Sequence, residues 1–391
     1  MSKILLCDKM TCTQCMACVN ACPKSCIKMV DAGQGFVIPQ IDDSVCVKCG
    51  VCMRSCHQLE KKLVRNVPNK TLACWTKVAA DRRKSSSGGV FSVLARKVLS
   101  QNGVVYGAVM DNKLQVRHIG IERADELSRL QGSKYVQSFL GEIFVHVRND
   151  LKSGRIVLFT GTPCQVGGLL TFLRKKYENL ITCDMVCHGV PSQKAFNAFC
   201  KRTHLSDSCQ GISFRFTEGW GFQLARELIT PTKDGDFNST CIKRKPVWPS
   251  KAWYMRAFNK SLMFNEACYN CSYTTVERVS DFTMADFWGL GTMAPFNHPT
   301  YKGVSMLLLN TPKAIELLNE LPELFYEERN LQEAIKGNYN LSHSSVRPKN
   351  RDQFILDLFD INKKNLVAKY GLKADLRDYL RLLKQFVNSK R

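Results

Sequence analysis

Eight cysteines near the start of the chain limit what it can become more than anything else in the sequence. Cys12, Cys15, Cys18 and Cys22 recur as Cys46, Cys49, Cys52 and Cys56, each 46 − 12 = 34 positions on, so one run of thiols is present twice. Both copies read C-x2-C-x2-C-x3-C, and the first closes on Cys22-Pro23. Zinc also uses C-x2-C, but its ligands come as separated pairs rather than as runs of four. A four-cysteine run ending in Cys-Pro is iron-sulfur spacing. The second copy has His57 where the first has Pro23, which loosens the turn without removing a ligand.

The duplicated run resembles a two-cluster bacterial ferredoxin module. In such modules three cysteines of a run wrap one cluster, and the fourth, a helical turn later, reaches the other. The resemblance implies one 4Fe-4S cluster on Cys12, Cys15, Cys18 and Cys56, and a second on Cys46, Cys49, Cys52 and Cys22. Cys7 and Cys26 stand outside the repeat, since the position 34 after Cys26 is Glu60, and they read as small buried apolar residues or free thiols. Protein prepared without air is expected to be brown, and iron near background would overturn the assignment.

The 391 residues leave room for this module and for one or two larger domains with real cores. The chain holds 19 cysteines, yet Met1 to Cys7 has no apolar signal core with a cleavage site, so a reducing, cytoplasmic setting is expected. No apolar stretch approaches the ~18 residues that span a bilayer. Lysine and arginine exceed aspartate and glutamate by 56 − 34 = 22, a balance that raises the question of nucleic acid. Each bound cluster subtracts charge from that sum. The remaining positive surface serves acidic redox partners or anionic coenzymes equally well, so charge alone does not choose.

Polar, basic residues from Gln58 to Asn69, including Lys61, Lys62 and Arg65, read as a link into the main body. Leu72 to Ala79, Val104 to Met110, Val116 to Ile121, Ile156 to Phe159 and Ile181 to Val186 read as strands. Helical spacing follows Ser85-Ser86-Ser87-Gly88-Gly89-Val90, the span Gly141 to Leu151, the hinge Thr162-Pro163-Cys164-Gln165, and Ser192. Strands alternating with helices imply an α/β sheet with ligands near the strand ends. The serine-glycine junction opens a helix whose unpaired N–H groups suit a phosphate or an electron-rich ring edge; the bland alternative is an ordinary glycine turn. Between Gly211 and Lys245 short alternating segments suggest an antiparallel insertion. The bases and aromatics of Lys243-Arg244-Lys245, Trp248, Lys251, Trp253, Tyr254 and Arg256 could stack bases, wall a ring system or simply snorkel. Gln353 to Phe386 reads as a helical tail that packs rather than catalyses.

Taken in order, Ser86 to Phe91, Gly132-Ser133-Lys134-Tyr135, Gly161 to Gln165, Cys187-His188-Gly189, Cys268-x2-Cys271 and Asp281 to Gly289 resemble the beta subunit family of coenzyme F420 hydrogenases and dehydrogenases. Its members use FAD and iron-sulfur clusters to move electrons between one-electron carriers and a two-electron acceptor. The fold class implied is α+β: a two-cluster ferredoxin domain over 1–65, an α/β flavin-binding domain with an antiparallel insertion over 66–340, and a helical tail over 341–391.

The resemblance makes Cys164, Cys187, Cys268 and Cys271 candidates for a third 4Fe-4S cluster, with Cys183 as a substitute. The local alternative for Cys164 is a nucleophile with His188 as base. For the FAD the matching residues are Ser86, Ser87, Gly88, Gly89, Val90, Ser133, Lys134 and Tyr135, with Lys134 meeting a phosphate or a reduced ring and Asp286 a polar contact or a turn cap. The function implied is an iron-sulfur flavoprotein oxidoreductase fed by ferredoxin or another redox protein and passing electrons to a small-molecule acceptor. A non-catalytic electron-transfer subunit and an iron-sulfur nucleic-acid binder are the rival readings, separated by bound FAD, acceptor turnover and salt-dependent binding.

Overall fold

The computed structural model describes residues 4–60, 63–207, 209–215, 223–231 and 240–388; Lys61, Lys62 and parts of the stretch between Gly211 and Lys245 lie outside these. The two cysteine runs build the same loop twice. Gln14 and Lys48 occupy the same repeat position and have φ of 60° and 55°; Met16 and Gly50, again 34 apart, have φ of 58° and 69°. Left-handed backbone at non-glycine residues costs about 1–2 kcal/mol each. Its recurrence at matched positions shows that the thiol spacing, rather than local preference, sets the loop. Helices α1 (Ala17–Ala21) and α2 (Val51–Arg54) carry the chain from these loops towards the fourth cysteines, and β1 (Ile27–Asp31) pairs antiparallel with β2 (Val37–Ile41). The local core is small. Cys26, Ile27 and Cys52 are buried among Ile4, Leu6, Cys18, Val19, Cys22, Ile41, Cys46 and Met53, so thiols fill space that larger apolar side chains would otherwise occupy.

The body follows as β3 (Lys70–Thr76), α3 (Ala79–Lys84), α4 (Val90–Ser100), β4 (Val104–Met110), β5 (Val116–Ile121), α5 (Leu127–Leu130), α6 (Ile143–Lys152), β6 (Val157–Thr160), α7 (Pro163–Leu173), β7 (Leu180–Met185) and α8 (Gln193–Thr203). A three-stranded sheet of β8 (Gly211–Ser213), β9 (Ala225–Pro231) and β10 (Thr240–Pro246) comes next, antiparallel throughout. Then come α9 (Trp253–Asn259), α10 (Glu266–Tyr269), β11 (Phe282–Asp286), β12 (Ser305–Leu309), α11 (Pro312–Leu318), β13 (Leu324–Glu328), α12 (Leu331–Gly337), α13 (Arg351–Phe359), α14 (Leu366–Lys369) and α15 (Leu376–Asn388).

Eight strands form one mixed sheet in the order β13-β3-β12-β11-β7-β6-β4-β5. The inner four, β11, β7, β6 and β4, run parallel. They are flanked by antiparallel β12 and β5, and β3, antiparallel to β12, runs with the inner four. The carboxyl ends of β3, β6, β7 and β11 therefore share one edge, where parallel sheets hold their ligands. Every residue of β6 and of β12 is buried, as strands covered on both faces require.

One face of the sheet packs on α4 and α11. The other packs on α6 and α7, and there Cys15, Met16 and Ala17 of the cysteine module join the same apolar cluster. Asn20 Nδ2 donates to the Gly141 carbonyl at 2.7 Å, and Thr171 Oγ1 donates to the Ser55 carbonyl at 2.8 Å, which pins the module to the body. A third core gathers Phe196, Phe199, Phe214, Trp253, Tyr254, Phe258, Phe264, Phe354 and Leu372 between α8, the insertion and the C-terminal helices.

The expected strands at Val104–Met110 and Val116–Ile121 match β4 and β5. The strand expected to reach Ala79 stops at Thr76, and Ala79 opens α3 instead. The tail is three helices rather than one. The basic-aromatic stretch divides: Trp253 and Tyr254 are core residues, and Trp248 is exposed.

Candidate functional site

The ligand sets expected for the two repeats come together across the module. A recess of about 320 Å³, including its mouth, is lined by Cys22, Cys26, Cys46, Cys49 and Cys52, so the last cysteine of the first run faces the first three of the second. In the mirror arrangement Cys56 joins Cys12, Cys15 and Cys18: burial, then Cys12 and Cys56, push the Cys18 thiol up to about 12. Burial likewise raises Cys12 to about 11, with Cys56 adding to it. Four thiolates this crowded repel one another, so the donor set fits a polycationic iron core that neutralises them. Cys7 and Cys26 are buried, as expected of small apolar residues. They are also near the fourth cysteines: Cys7 Sγ lies 3.5 Å from Cys56 Sγ, and Cys26 Sγ lies 3.4 Å from Cys22 Sγ. Among the described residues no three His, Cys, Asp or Glu side chains converge on one ion. Thiolates at separate corners of a cube need not converge.

At the carboxyl edge of the sheet a second cavity of about 490 Å³, including its mouth, is lined by Cys164, Cys187, Cys268 and Cys271 together with Thr13. Cys164 follows β6 on the first turn of α7, where Thr162 and Gln165 form a reciprocal cap and Pro163 presets the helix. Cys187 follows β7, and the Cys268–Cys271 loop precedes β11. Burial pushes Cys164 up to about 12, with Cys271 as the next cause, and does the same to Cys187. Burial, then Cys187, Cys271 and Cys164, raise Cys268 well above the ordinary thiol range. Cys183 is fully buried on the α4 face of the sheet and does not reach the cavity. His188 does not line it either; its ring stacks on Phe258 at 6.2 Å.

The cavity adjoins the first cysteine run through residues that the sequence did not single out for this role. Asn265 Nδ2 donates to the Cys12 carbonyl at 3.0 Å. The buried His57 ring bridges Thr13 Oγ1 at 2.9 Å and Tyr273 Oη at 2.8 Å. Tyr273 stands two residues beyond Cys271, and burial, then Cys164 and Cys15, raise its phenol. Close packing of α7 on both partners depends on a glycine pair: a Cβ on Gly167 would lie 2.0 Å from Tyr273 Oη, and one on Gly168 would lie 2.8 Å from Cys15 Sγ. The visible trace of this contact in the sequence was His57, noted only as a departure from the repeat. Asn265 and Tyr273 left no periodic or motif signal.

The two expected flavin segments meet. Ser86 Oγ accepts from Ser133 N at 2.8 Å and from Ser133 Oγ at 3.0 Å, at the carboxyl end of β3. Gly88 lies so close to β3 and β12 that a Cβ there would fall 2.3 Å from the Cys74 carbonyl, and Gly89, at φ 85°, precedes Val90 at the start of α4. No side chain caps that helix start, and the buried Ser87 Oγ has no hydrogen-bond partner. An uncapped helix start beside an orphaned hydroxyl fits a phosphate-bearing cofactor. Lys134 is turned elsewhere: its ammonium donates to the Arg129, Leu130 and Gln131 carbonyls that end α5. Tyr135 and Asp286 are joined through Arg215, whose Nη1 donates to Asp286 Oδ2 at 2.9 Å and to Tyr135 Oη at 3.2 Å. That pair is buried, so Asp286 anchors the insertion to β11 rather than capping a turn.

Residues 154–333 match the family model for the C terminus of the coenzyme F420 hydrogenase/dehydrogenase beta subunit, and residues 11–58 match a 4Fe-4S dicluster domain. The chain belongs to the F420 hydrogenase/dehydrogenase beta subunit family. The family segment spans β6 to α12 and so contains Cys164, Cys187, Cys268, Cys271 and Asp286; the Ser86 and Ser133 loops lie before it. This member is an iron-sulfur electron-transfer protein with a ferredoxin-type module on a mixed α/β body. Among solved structures, the F420-reducing NiFe hydrogenase complex from Methanosarcina barkeri, studied with xenon, is similar at 14% identity and a TM-score of 0.44, covering 77% of this chain and 91% of that one. No curated protein matches the chain. No described helix is long and apolar enough to cross a membrane.

Proposed function

We propose that the chain is an iron-sulfur flavoprotein oxidoreductase of a reducing compartment. It would take single electrons from ferredoxin or a similar redox protein and deliver them to a two-electron acceptor, a deazaflavin-like coenzyme or another small organic molecule. The observation that carries this reading is the cavity in which Cys164, Cys187, Cys268 and Cys271, from three separate stretches of chain, face one another beside Thr13 of the first run. Cys12, Cys15, Cys18 and Cys56 would hold one cluster, Cys46, Cys49, Cys52 and Cys22 a second, and the cavity thiols a third. Ser86, Ser87, Gly88, Gly89, Val90 and Ser133 would receive FAD, with Tyr135 and Asp286 walling the site and Lys134 holding the end of α5. Residues 1–65 would then act as the electron-entry module, 66–340 as the catalytic body and 341–391 as a packing tail.

When bound, clusters exchange one electron at a time and a flavin holds one or two, which is what joins such a partner to such an acceptor. The protein supplies placement. His57 and Asn265 hold the first cysteine loop against the Cys268–Cys271 loop, and both are buried, so water is kept from the junction. A Cys164 nucleophile is disfavoured, because activated thiols have lowered pKa values whereas burial raises this one.

The test is anaerobic purification of the full chain with iron counting, extraction of bound nucleotide and assay with dithionite-reduced ferredoxin. About twelve irons per chain, bound FAD and acceptor turnover are expected. About eight irons would remove the third cluster, and clusters without flavin or turnover would make the chain a non-catalytic electron-transfer subunit.

A further inference from the structure

We propose that α15, together with Trp248, is a docking surface for an anionic lipid bilayer. One edge of this helix is committed to the body: Leu382 is buried, Asp378 Oδ2 accepts from Arg256 Nη1 at 3.3 Å, and Tyr379 meets Trp248 edge-on with centroids 6.2 Å apart. Beside that edge Leu376, Leu380 and Leu383 are 74%, 49% and 57% exposed. Their spacing of four and three residues puts them on one stripe of the helix. Arg377 and Arg381, each one position past a stripe leucine, are exposed and form a row of cations alongside it. Trp248 is itself 56% exposed and sits between exposed Lys245 and Lys251.

A helix of a water-soluble protein turns its leucines inward. Here the inward edge is already filled by Leu382, and a second apolar stripe faces out. Leucines flanked by arginines, with a tryptophan at the rim, suit a helix lying in the plane of a membrane surface. The leucines enter the acyl boundary, the arginines meet lipid phosphates and the indole sits at headgroup depth. The formal charge of +22 has the sign that an anionic leaflet attracts. Two other occupants fit less well. Pairing with a second copy would press two arginine rows together, and the 13 residues of α15 give less than two heptads for a coiled coil. Nucleic acid bases need flat side chains to stack on, and the stripe is aliphatic.

The test uses the full chain with its clusters intact. It is sedimented with vesicles of phosphatidylcholine alone and of phosphatidylcholine with phosphatidylglycerol at low salt. The protein is expected to pellet with the anionic vesicles, with a blue shift of tryptophan emission that Trp248→Phe diminishes. Leu380→Glu combined with Leu383→Glu should weaken binding by more than about tenfold. Arg377→Gln and Arg381→Gln should each cost about fivefold. All these side chains are exposed, so visible absorption and melting temperature should match the parent protein and exclude misfolding as the cause. Protein that stays in the supernatant, or leucine variants that pellet like the parent, would overturn the proposal. So would a parent oligomer that the leucine variants convert to monomer without any vesicle binding, which would assign the stripe to a second copy. A nucleic-acid shift in the absence of vesicle binding would assign the surface to nucleic acid.

Discussion

The four thiols of the candidate cavity are raised by burial and crowd one another, and this sets what single changes do. Cys268→Ser removes one of four donors from a buried group while leaving the N-terminal runs untouched. Iron should fall from about twelve to about eight per chain, with the remaining cluster signals by electron paramagnetic resonance preserved. Arg278 has a different task. Its guanidinium donates to Asp184 Oδ1 at 2.9 Å at the end of β7 and to the Tyr273 carbonyl at 2.9 Å, so it ties the Cys268–Cys271 loop to the sheet. Both members of the ion pair are almost wholly buried. Arg278→Met leaves a buried carboxylate without its cation and should cost about 3–5 kcal/mol in denaturant titration. Asp184→Asn in the same background should recover part of that loss, because it removes the unpaired charge.

At the scale of elements, the edge of the sheet is held by side chains that bridge strands. His118 of β5 is buried, with Nε2 donating to the Thr160 carbonyl at 2.9 Å and Nδ1 accepting from the Ser138 hydroxyl at 2.6 Å. Burial lowers its pKa from 6.5 to about 4. The unfolded chain therefore binds the proton more readily between those values. The contribution of His118 is present above pH 6.5 and is lost as pH falls through 4, up to about 3 kcal/mol in all. Denaturant midpoints at about pH 7 and about pH 5 should differ less in His118→Phe than in the parent protein. The Ser85–Gly89 loop is an element of another kind, pressed flat on β3 and β12. Gly88→Ala forces a Cβ against the Cys74 carbonyl. It should cost about 1–3 kcal/mol and lower flavin retention, while the iron content stays as it was.

Across the whole molecule, two kinds of core sit side by side. The sheet body buries phenylalanines, leucines and valines on both faces, whereas the cysteine module has little beyond Ile27 and its own thiols to bury. Stability in the module then comes with metal. A strong chelator under reducing conditions should release hydrogen-exchange protection across β1 and β2 first, with β6, β7 and β12 still protected. Simultaneous loss in both regions would mean that the module and the body fold as one unit.

The duplicated run was legible because ligand spacing is a local property: Cys12 to Cys22 and Cys46 to Cys56 must each wrap a loop, whatever surrounds them. Strands β4 and β5 were legible for a similar reason, since a hairpin edge writes its own alternation. The stretch Ser305–Leu309 could not be read in this way, because five buried residues in a row carry no period that separates a central strand from a helix segment. Lys134 looked free in the sequence, and the end of α5 claims it. That Cys164, Cys187, Cys268 and Cys271 face one space, and that His57 and Tyr273 bring the first run beside them, depends on which strand ends share an edge. Side chains a hundred residues apart leave no mark on each other's neighbours in sequence, so the chain alone determined the kind of chemistry, and only the folded sheet decided where its parts meet.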